Sequence, residues 1–238
     1  MSRAPGTFVE RYGPWALVAG ASEGLGAEFA SQLAARGLSV LLLSRRAEPL
    51  QQLATELMQR YPVKARVAVI DLAAPELEAQ LRAAVADLEI GLLVYNAAYS
   101  TLGGFLDQEL APKLRSIEVN CRGPVILSHV LGRQMAARRR GGIILMASLA
   151  ASQGVPLVAT YAATKAFDLI LAEGLWEELG RLGIDVVGCR AGATRTPGYE
   201  RARPQNGDGI ISETDPVVHA TLKTLDHQPT VVPNLVNG

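Results

Sequence analysis

The chain has 238 residues, of which 49% are hydrophobic, and its 23 basic residues balance 23 acidic ones. This length and apolar content fit one α/β domain spanning residues 1–238, with a core of its own. The zero net charge argues against a nucleic-acid or membrane-surface partner, and no apolar run approaches the roughly 20 residues of a membrane span.

Cysteine and histidine usage gives no sign of a disulfide or a metal site. Cys121 and Cys189 lie far apart in the chain and are expected to be reduced core thiols. The three histidines show no metal-ligand spacing. Residues 1–5 are not followed by the apolar core of a secretory signal, so the expected location is the cytoplasm.

A glycine-rich turn follows the first apolar run. Residues 15–19 predict a buried strand, residues 20–26 read Gly-Ala-Ser-Glu-Gly-Leu-Gly, and a helical pattern continues to Arg36. Glycines between a strand and a helix let the backbone approach a pyrophosphate, which the helix N-terminus attracts. The spacing is G-x-x-x-G-x-G rather than the commoner G-x-G-x-x-G. The stretch therefore predicts a dinucleotide site, with an ordinary tight turn as the alternative.

The end of the second strand indicates which dinucleotide would bind. Residues 39–43 predict this strand, and Ser44, Arg45 and Arg46 follow with no acidic residue before Glu48. An acidic residue here pairs with the ribose 2′-OH of NAD, whereas an arginine accommodates the 2′-phosphate of NADP. We therefore expect NADP(H) rather than NAD, the alternative being that the arginines only cap the turn.

Strands and helices continue to alternate along the rest of the chain. Strands are predicted at residues 65–70, 91–95, 142–148, 184–189 and 230–232, and helices at 47–60, 75–87, 108–138, 160–182 and 214–226. With the first two strands, this spacing predicts a doubly wound, seven-stranded parallel sheet of the Rossmann type, with helices on both faces. The stretch 198–212 is aperiodic and rich in Gly, Arg, Pro and Asn, which predicts a mobile lid.

The helical pattern over 108–138 is interrupted by a proline. Pro124 lacks the N–H that would bond the carbonyl of Asn120 four residues earlier. That carbonyl is expected to be free to hold a water inside a kink. An ordinary proline kink, or a break between two helices, is the alternative.

A tyrosine and a lysine four residues apart suggest acid–base chemistry. On a helix, Tyr161 and Lys165 lie on one face about a turn apart. A nearby ammonium lowers the pKa of a phenol toward the range that suits acid–base catalysis. A tyrosine and a lysine at this spacing, taken alone, are often exposed surface residues without a catalytic role. Ser148 at the end of an apolar strand upstream, together with the glycine turn, favours the catalytic interpretation.

Together these features resemble the short-chain dehydrogenase/reductase family over about residues 14–233. The matching positions fall in the family's order, namely Gly20, Gly24, Gly26, Asp71, Asn96, Ala97, Asn120, Ser148, Tyr161, Lys165, Gly192 and Thr196. Ala19, Ala98 and Ala191 depart from the family's pattern at positions that bear on cofactor affinity.

The resemblance implies roles for four catalytic residues. Tyr161 would donate a proton to a carbonyl, or accept one during alcohol oxidation, and Ser148 would orient the substrate oxygen. Lys165 would bind the nicotinamide ribose and lower the Tyr161 pKa. Asn120 would link Lys165 to solvent through its main-chain carbonyl and a water.

The resemblance also implies which residues bind ligands. Thr196 would bind the nicotinamide carboxamide and Asp71 the adenine. The cofactor set comprises Gly20, Ser22, Glu23, Gly24, Leu25, Gly26, Ser44, Arg45, Arg46, Asp71, Leu72, Asn96, Ala97, Ala98, Tyr161, Lys165, Gly192, Thr194 and Thr196. The pocket set comprises Tyr99, Leu102, Leu149, Gln153, Pro156, Leu157 and Val158. This mostly apolar pocket favours a hydrophobic ketone or β-keto acyl substrate, unless its residues simply pack beneath a loop.

The implied function is an NADPH-dependent oxidoreductase that reduces a hydrophobic ketone or oxidises a secondary alcohol. A non-catalytic NADP(H)-binding regulatory module on the same fold is the alternative, and the retained Tyr161–Lys165 pair argues against it. The resemblance also implies a homodimer or homotetramer paired through helices 108–138 and 160–182. Its apolar face would include Ile126, Leu127, Val130, Phe167, Leu171 and Leu175.

Overall fold

A parallel sheet organises residues 6–202 and 211–233, which are the residues that the computed structural model describes. Within them, seven parallel strands lie in the order β3-β2-β1-β4-β5-β6-β7. The bounds are β1 Trp15–Ala19, β2 Ser39–Ser44, β3 Ala65–Val69, β4 Ile90–Tyr95, β5 Gly141–Ser148, β6 Ile184–Ala191 and β7 Thr230–Val231. The predicted doubly wound sheet is confirmed. Its order reverses between β1 and β4, the place where such sheets bind ligands.

Helices connect the strands and cover the sheet. They are α1 Phe8–Tyr12, α2 Gly24–Ala35, α3 Ala47–Arg60, α4 Leu77–Ala84, α5 Leu110–Ile117, α6 Gly123–Arg138, α7 Ala159–Gly180, α8 Pro197–Ala202 and α9 Thr214–Thr224. The predicted helix 47–60 coincides with α3, whereas α4 is shorter than the predicted 75–87. Turns replace both of its ends, since the Leu77 N–H bonds to the Ala74 carbonyl and the Leu88 N–H to the Val85 carbonyl.

Alternate residues of the central strands pack into two separate cores. In β1, Ala16 and Val18 join a core with α2, α3 and α9, whereas Leu17 and Ala19 face a second core with α4, α6 and α7. Strands buried on both faces need unbroken apolar sequences, which explains the apolar runs seen in the chain. Helices therefore lie on both faces, and the carboxyl ends of the strands share one edge.

The interruption predicted within 108–138 is present in the structure, directly before Pro124. A π-helical turn, Glu118–Arg122, separates α5 from α6, and the Gly123 N–H closes it by bonding to the Glu118 carbonyl. Pro124 follows at once and cannot donate to Asn120. The chain accommodates the missing donor by widening one turn, so α5 and α6 run on without a loop between them.

The predicted lid 198–212 is in part helical. Pro197–Ala202 forms α8, so the expectation of an irregular segment is wrong for its first residues. Residues 203–210 of the lid lie outside the described residues. Beyond them, Ser212 pairs with Thr194 through an isolated bridge, which ties this segment to the loop after β6. Among the helices of the described residues, none has the length and apolar character to cross a membrane.

Candidate active site

Asn120 is a buried junction between three segments. Its Oδ1 accepts a hydrogen bond from the Tyr99 N–H at 2.7 Å, and its Nδ2 donates to the Tyr99 carbonyl at 2.9 Å. Nδ2 also lies 3.2 Å from Ser116 Oγ and 2.9 Å from Thr164 Oγ1. The side chain, for which sequence reasoning gave no role, therefore holds the loop after β4 against α5 and α7.

Lys165 is buried against β5 beside an acidic residue. Its Nζ donates to the Met146 carbonyl at 2.6 Å and lies 2.9 Å from Asp168 Oδ2. The side chains of Lys165 and Asp168 are only 3% and 1% exposed. The same nitrogen lies 6.0 Å from the centre of the Tyr161 ring. The structure thus brings the predicted pair together and adds Asp168, which sequence reasoning missed although its i,i+3 spacing from Lys165 was a usable signal.

Burial and the ion pair act on Lys165 in opposite directions. Burial lowers the pKa of the ammonium, whereas the Asp168 carboxylate and Tyr161 raise it, and the net pKa lies above its ordinary value. Burial raises the pKa of Asp168, a rise that Lys165 opposes. An ammonium at hydrogen-bonding distance favours the ionised carboxyl, so the two residues form an ion pair at neutral pH.

Ser148 ends β5 and caps the short helix that follows it. Its Oγ accepts a hydrogen bond from the Ala150 N–H at 3.2 Å, at the start of a 3-10 helix, Leu149–Ser152. Because the oxygen acts here as an acceptor, the hydroxyl hydrogen is left to donate to a substrate. Tyr161 is half-buried in the first turn of α7, and α7 packs on both β5 and the 3-10 helix. Ser148 and Tyr161 therefore lie on elements in direct contact.

The glycine turn leaves a narrow space that side chains on its glycines would fill. Gly20 and Gly24 have positive φ angles of 83° and 59°, a region that other residues rarely adopt. A Cβ on Gly26 would lie 2.0 Å from the Gly20 carbonyl oxygen. The Glu23 side chain does not cap the start of α2. First-turn N–H groups of that helix are therefore left for another acceptor.

Hydrogen bonds hold the ends of β1 and β4 together behind this turn. The Ala97 N–H donates to the Ala19 carbonyl at 2.9 Å, and Asn96 Nδ2 donates to the Gly20 carbonyl at 3.0 Å. These contacts join the two strands where Ala19 has no hydroxyl to do so. Ala98 follows in an exposed position. The ends of β1 and β4 therefore stay joined despite the departure from the family's pattern at Ala19.

Arg46 at the end of β2 is already paired with an acidic residue. Its Nη2 lies 2.7 Å from Glu23 Oε2 and 2.9 Å from Ser22 Oγ. Arg201 of α8 pairs with the other oxygen of the same carboxylate. Sequence reasoning placed Glu23 among the cofactor contacts and missed that this carboxylate would compete with a phosphate for Arg46. It also missed Arg201, which links the glycine turn to α8.

Asp71 follows β3 and pairs with α5. Arg115 Nη2 lies 2.7 and 3.0 Å from its two carboxylate oxygens, and the Ala73 N–H donates to Oδ1 at 3.0 Å. Burial raises the pKa of Asp71, but the Ala73 N–H, Arg115 and Arg45 outweigh it and hold the pKa below its ordinary value. Leu72 belongs to the buried core. The predicted adenine contact is thus an ionised, half-exposed carboxylate at the edge of the sheet.

The loop after β6 brings Thr196 to the glycine turn. A Cβ on Gly24 would lie 2.8 Å from Thr196 Cγ2. Thr196 Oγ1 accepts a hydrogen bond from the Tyr199 N–H at 3.1 Å and so caps α8. Thr194 Oγ1 donates to the Gly192 carbonyl at 3.0 Å. Two loops distant in the chain therefore face each other across the carboxyl edge of the sheet.

The predicted pocket residues lie on two facing loops. Leu149 and Gln153 are exposed, and Leu157 is 56% exposed with a positive φ of 66°. The Gly103 N–H donates to the Leu157 carbonyl at 2.9 Å and joins the loops. A cavity of about 20 Å³ lies between them, lined by Leu157 and Val158 but not by the other predicted pocket residues. That volume admits about one water, so this cavity is not itself a substrate pocket.

Comparison with known proteins identifies the family. The short chain dehydrogenase family model matches residues 14–207. The chain belongs to the short-chain dehydrogenase family. Its expected class, an oxidoreductase acting on hydroxyl or carbonyl groups, is confirmed by this membership and by relatives named as dehydrogenases and reductases.

The chain is similar to the following three members of the family. It is 32% identical to a 7beta-hydroxysteroid dehydrogenase from Clostridium sardiniense, over 88% of the chain and 80% of the relative. It is 37% identical to a very-long-chain 3-oxoacyl-CoA reductase from Podospora anserina, over 73% of the chain but only 53% of that longer relative. A short-chain dehydrogenase from Sphingobium yanoikuyae, solved in complex with NADPH, superposes with a TM-score of 0.87 at 31% identity, covering 93% and 88% of the two chains.

Proposed function

We propose that this short-chain dehydrogenase is an NADPH-dependent oxidoreductase that transfers a hydride between nicotinamide and a hydrophobic ketone or secondary alcohol. The observation that carries the proposal is Lys165, buried and paired with Asp168, with its ammonium 6.0 Å from the centre of the Tyr161 ring. A buried charge is unfavourable unless it is paired, and such perturbed groups cluster at catalytic sites. A binding module without turnover would have no use for this arrangement.

The glycine turn fits a nicotinamide dinucleotide. Gly20, Gly24 and Gly26 leave a surface without side chains, and the start of α2 has N–H groups that its own cap residue does not use. The guanidinium groups of Arg45 and Arg46 would meet a 2′-phosphate, a group for which arginine is well shaped. Similarity to the Sphingobium yanoikuyae protein, which was solved with NADPH, supports this choice of cofactor.

The proposed mechanism assigns the proton to Tyr161. When bound, the nicotinamide supplies or accepts the hydride. During reduction the Tyr161 hydroxyl donates its proton to the substrate oxygen, while the Ser148 hydroxyl donates a hydrogen bond to the same oxygen. Lys165 stabilises the resulting phenolate by its charge. In the direction of oxidation, the phenolate of Tyr161 accepts the proton instead.

Asn120 would connect Lys165 with solvent. Pro124 has no N–H for the Asn120 carbonyl, and the turn is widened at this point. A carbonyl in such a turn can hold a water, and we propose that this water passes protons between Lys165 and the outside. The Asn120 side chain keeps the turn in place through Tyr99 and Thr164.

The proposed substrate is a bulky apolar carbonyl compound. The residues expected to surround it are mostly apolar and stand on exposed loops, and open apolar surfaces favour apolar ligands. The names of the relatives, a hydroxysteroid dehydrogenase and a long-chain 3-oxoacyl-CoA reductase, support large hydrophobic carbonyl or hydroxyl substrates.

A ketone panel tests the proposal. Initial rates of NADPH consumption are measured with steroid ketones, β-keto esters, aryl ketones and quinones, with NADH in parallel and Tyr161→Phe as background. We expect turnover of bulky ketones with NADPH that Tyr161→Phe lacks. Absence of NADPH consumption above that background with every compound would favour the regulatory module instead. Equal rates with NADH would show that the arginines only cap the turn.

We also propose that the enzyme is a homodimer or homotetramer. Exposed leucine and isoleucine side chains on α5 and α7 support self-association. Leu110, Leu114 and Ile117 recur at helical spacing on α5, and Ile170 is 65% exposed on α7. Large exposed apolar patches usually mark an interaction site.

A further inference from the structure

Asp168 is a buried acid whose carboxylate is paired with Lys165. Its Oδ2 lies 2.9 Å from Lys165 Nζ, and its Oδ1 has no hydrogen-bond partner among the described residues. An ammonium has three donors. The Met146 carbonyl and Asp168 take two of them, so one remains for a ligand or the proton path. Lys165 is thereby anchored at the end of β5 with its charge offset by a neighbouring carboxylate.

Among the described residues, other titratable groups approach this site from the elements packed around α7. Buried Lys113 of α5 lines a cavity together with Ala159 and Thr160 at the start of α7. Burial raises the pKa of Cys121 in the π-helical turn to about 11 and that of Cys189 in β6 to about 12. Burial also raises the pKa of Tyr95 in β4 well above its ordinary value. Burial therefore favours the neutral form of all three groups. Arg190 of β6 is a constant positive charge whose guanidinium contacts Ser152 Oγ.

We propose that Asp168 is a positioning residue that neutralises Lys165 inside the protein and so favours the protonated form of Tyr161, the form that reduces a carbonyl. This inference rests on the proposed catalytic role of Tyr161.

The physical reason is the count of charges before and after Tyr161 ionises. With Asp168 ionised, the group formed by half-buried Tyr161 and buried Lys165 and Asp168 changes from neutral to one negative charge. Without the carboxylate, the same group changes from one positive charge to neutral. Creating a net negative charge away from water is the less favourable change, so Asp168 raises the pH at which the site loses its proton. Lys165 alone would make Tyr161 a base at lower pH.

The variant Asp168→Asn keeps the shape of the side chain and removes its charge. The kcat/KM for oxidation of a secondary alcohol is followed from pH 6 to 10, with kcat/KM for ketone reduction in parallel. We expect the rising limb of oxidation and the falling limb of reduction both to move to lower pH by about one unit. This is the size expected for one charge about 10 Å away at an effective dielectric constant near 20.

Asp185→Asn is the matched control. Asp185 is also a buried carboxylate in an ion pair, with Arg11 at 2.8 Å. It lies near the N-terminal end of β6, whereas the candidate site is at the carboxyl ends of the strands. We expect it to leave the pH profile unchanged. A profile of Asp168→Asn that stays in place or moves to higher pH would overturn the inference. Tyr161→Phe separates the two claims, because retained activity there contradicts the proposed function itself.

A second pair of variants tests the same inference if Asp168→Asn alone does not fold. Ionisation of Tyr161 is followed by phenolate absorbance in Lys165→Met and in the double variant Lys165→Met with Asp168→Asn, each corrected with its Tyr161→Phe counterpart. We expect Tyr161 to ionise at higher pH in Lys165→Met than in the double variant, because the Asp168 carboxylate remains there without a neighbouring positive charge. Equal midpoints in the two variants would overturn the inference.

Discussion

Replacing Tyr161 with phenylalanine removes one hydroxyl and leaves the ring in the first turn of α7. Because the proposed reaction needs that hydroxyl as its proton donor, we predict that Tyr161→Phe lowers kcat by about 100-fold or more, in the range of general acid catalysis. Binding of NADPH, followed by its fluorescence, should change little. Steady-state rates of ketone reduction measure the effect.

Tyr61→Phe serves as the control for this change. Tyr61 follows α3, which packs on β2 and β3, and Tyr61→Phe removes the same hydroxyl. We expect its rates to equal those of the unmodified enzyme. Activity of Tyr161→Phe within a few-fold of the unmodified enzyme would show that another group donates the proton.

The end of β2 allows a prediction about cofactor choice. Glu23 already holds Arg46, so the exposed Arg45 should provide much of the attraction for a 2′-phosphate. Ser44→Asp combined with Arg45→Ala introduces repulsion against that phosphate and a partner for the 2′-OH of NADH. We predict that the ratio of kcat/KM for NADPH over NADH falls by about 100-fold or more, the effect of losing charge-assisted contacts.

Salt provides an independent check of the same prediction. Attraction between exposed charges is screened as ionic strength rises, so the preference of the unmodified enzyme for NADPH should weaken between low and high salt. The double variant should show little salt dependence. A salt-independent preference would mean that shape, and not the arginine charge, selects the cofactor.

At the scale of elements, one amide joins the π-helical turn to the loop after β4 and to α7. Asn120 binds the Tyr99 N–H and carbonyl and also contacts Thr164. Asn120→Ala would take away the partner of the Tyr99 N–H, whereas the Tyr99 carbonyl keeps Ser116 Oγ and Thr164 Oγ1 keeps the Tyr161 carbonyl. One unsatisfied group costs about 1–3 kcal/mol. We predict a fall of about 1–3 kcal/mol in the free energy of unfolding, measured by urea denaturation, together with reduced kcat.

Ser128→Ala is the control on the adjoining helix. Ser128 is buried in α6, and its Oγ has no hydrogen-bond partner among the described residues. Removing it leaves no group unpaired, so its unfolding curve should match that of the unmodified protein within about 1 kcal/mol. Equal stability of Asn120→Ala and Ser128→Ala would show that the amide contacts add nothing to the fold.

For the whole molecule, the structure corrects the expected subunit contact face. Leu127 and Val130 of α6 were expected on it, but both are buried in the core of the subunit. Ile126, Leu171 and Leu175 pack partly against the same core, and only Phe167 of the expected set is more than one-third exposed. On these helices, the other exposed large apolar residues are Leu110, Leu114 and Ile117 of α5, Val125 of α6 and Ile170 of α7.

These exposed residues give a prediction about assembly. We expect light scattering at micromolar concentration to report a dimer or tetramer. Leu114→Glu together with Ile170→Glu should shift the mass toward that of a monomer, because charged groups are unfavourable in a closed apolar interface. Met58→Glu, at an exposed apolar position on α3, should leave the mass unchanged. A monomeric mass for the unmodified protein would contradict the proposal.

The order of the elements was determined by the sequence itself. The predicted helix 47–60 is α3, Ala47–Arg60, and the predicted strand 15–19 is β1. Strands buried on both faces require continuous apolar runs, and surface helices require apolar residues at helical spacing. Both signals are carried by neighbouring residues, as is the spacing of Tyr161 and Lys165. Local patterns were therefore sufficient for the strands, for most of the helices and for the central pair, but not for α1 and α8.

Only the tertiary structure decided which side chains share an environment. Glu23 meets Arg46 and Arg201, which are 23 and 178 positions away in the chain. Asp168 is spaced like an ordinary surface partner of Lys165, yet packing of α7 on β5 and β6 buries both. Leu127 and Leu114 are the same residue type on consecutive helices, one inside the core and one exposed. An apolar or charged residue has the same local pattern in either place, because its burial depends on chain segments that are distant in sequence.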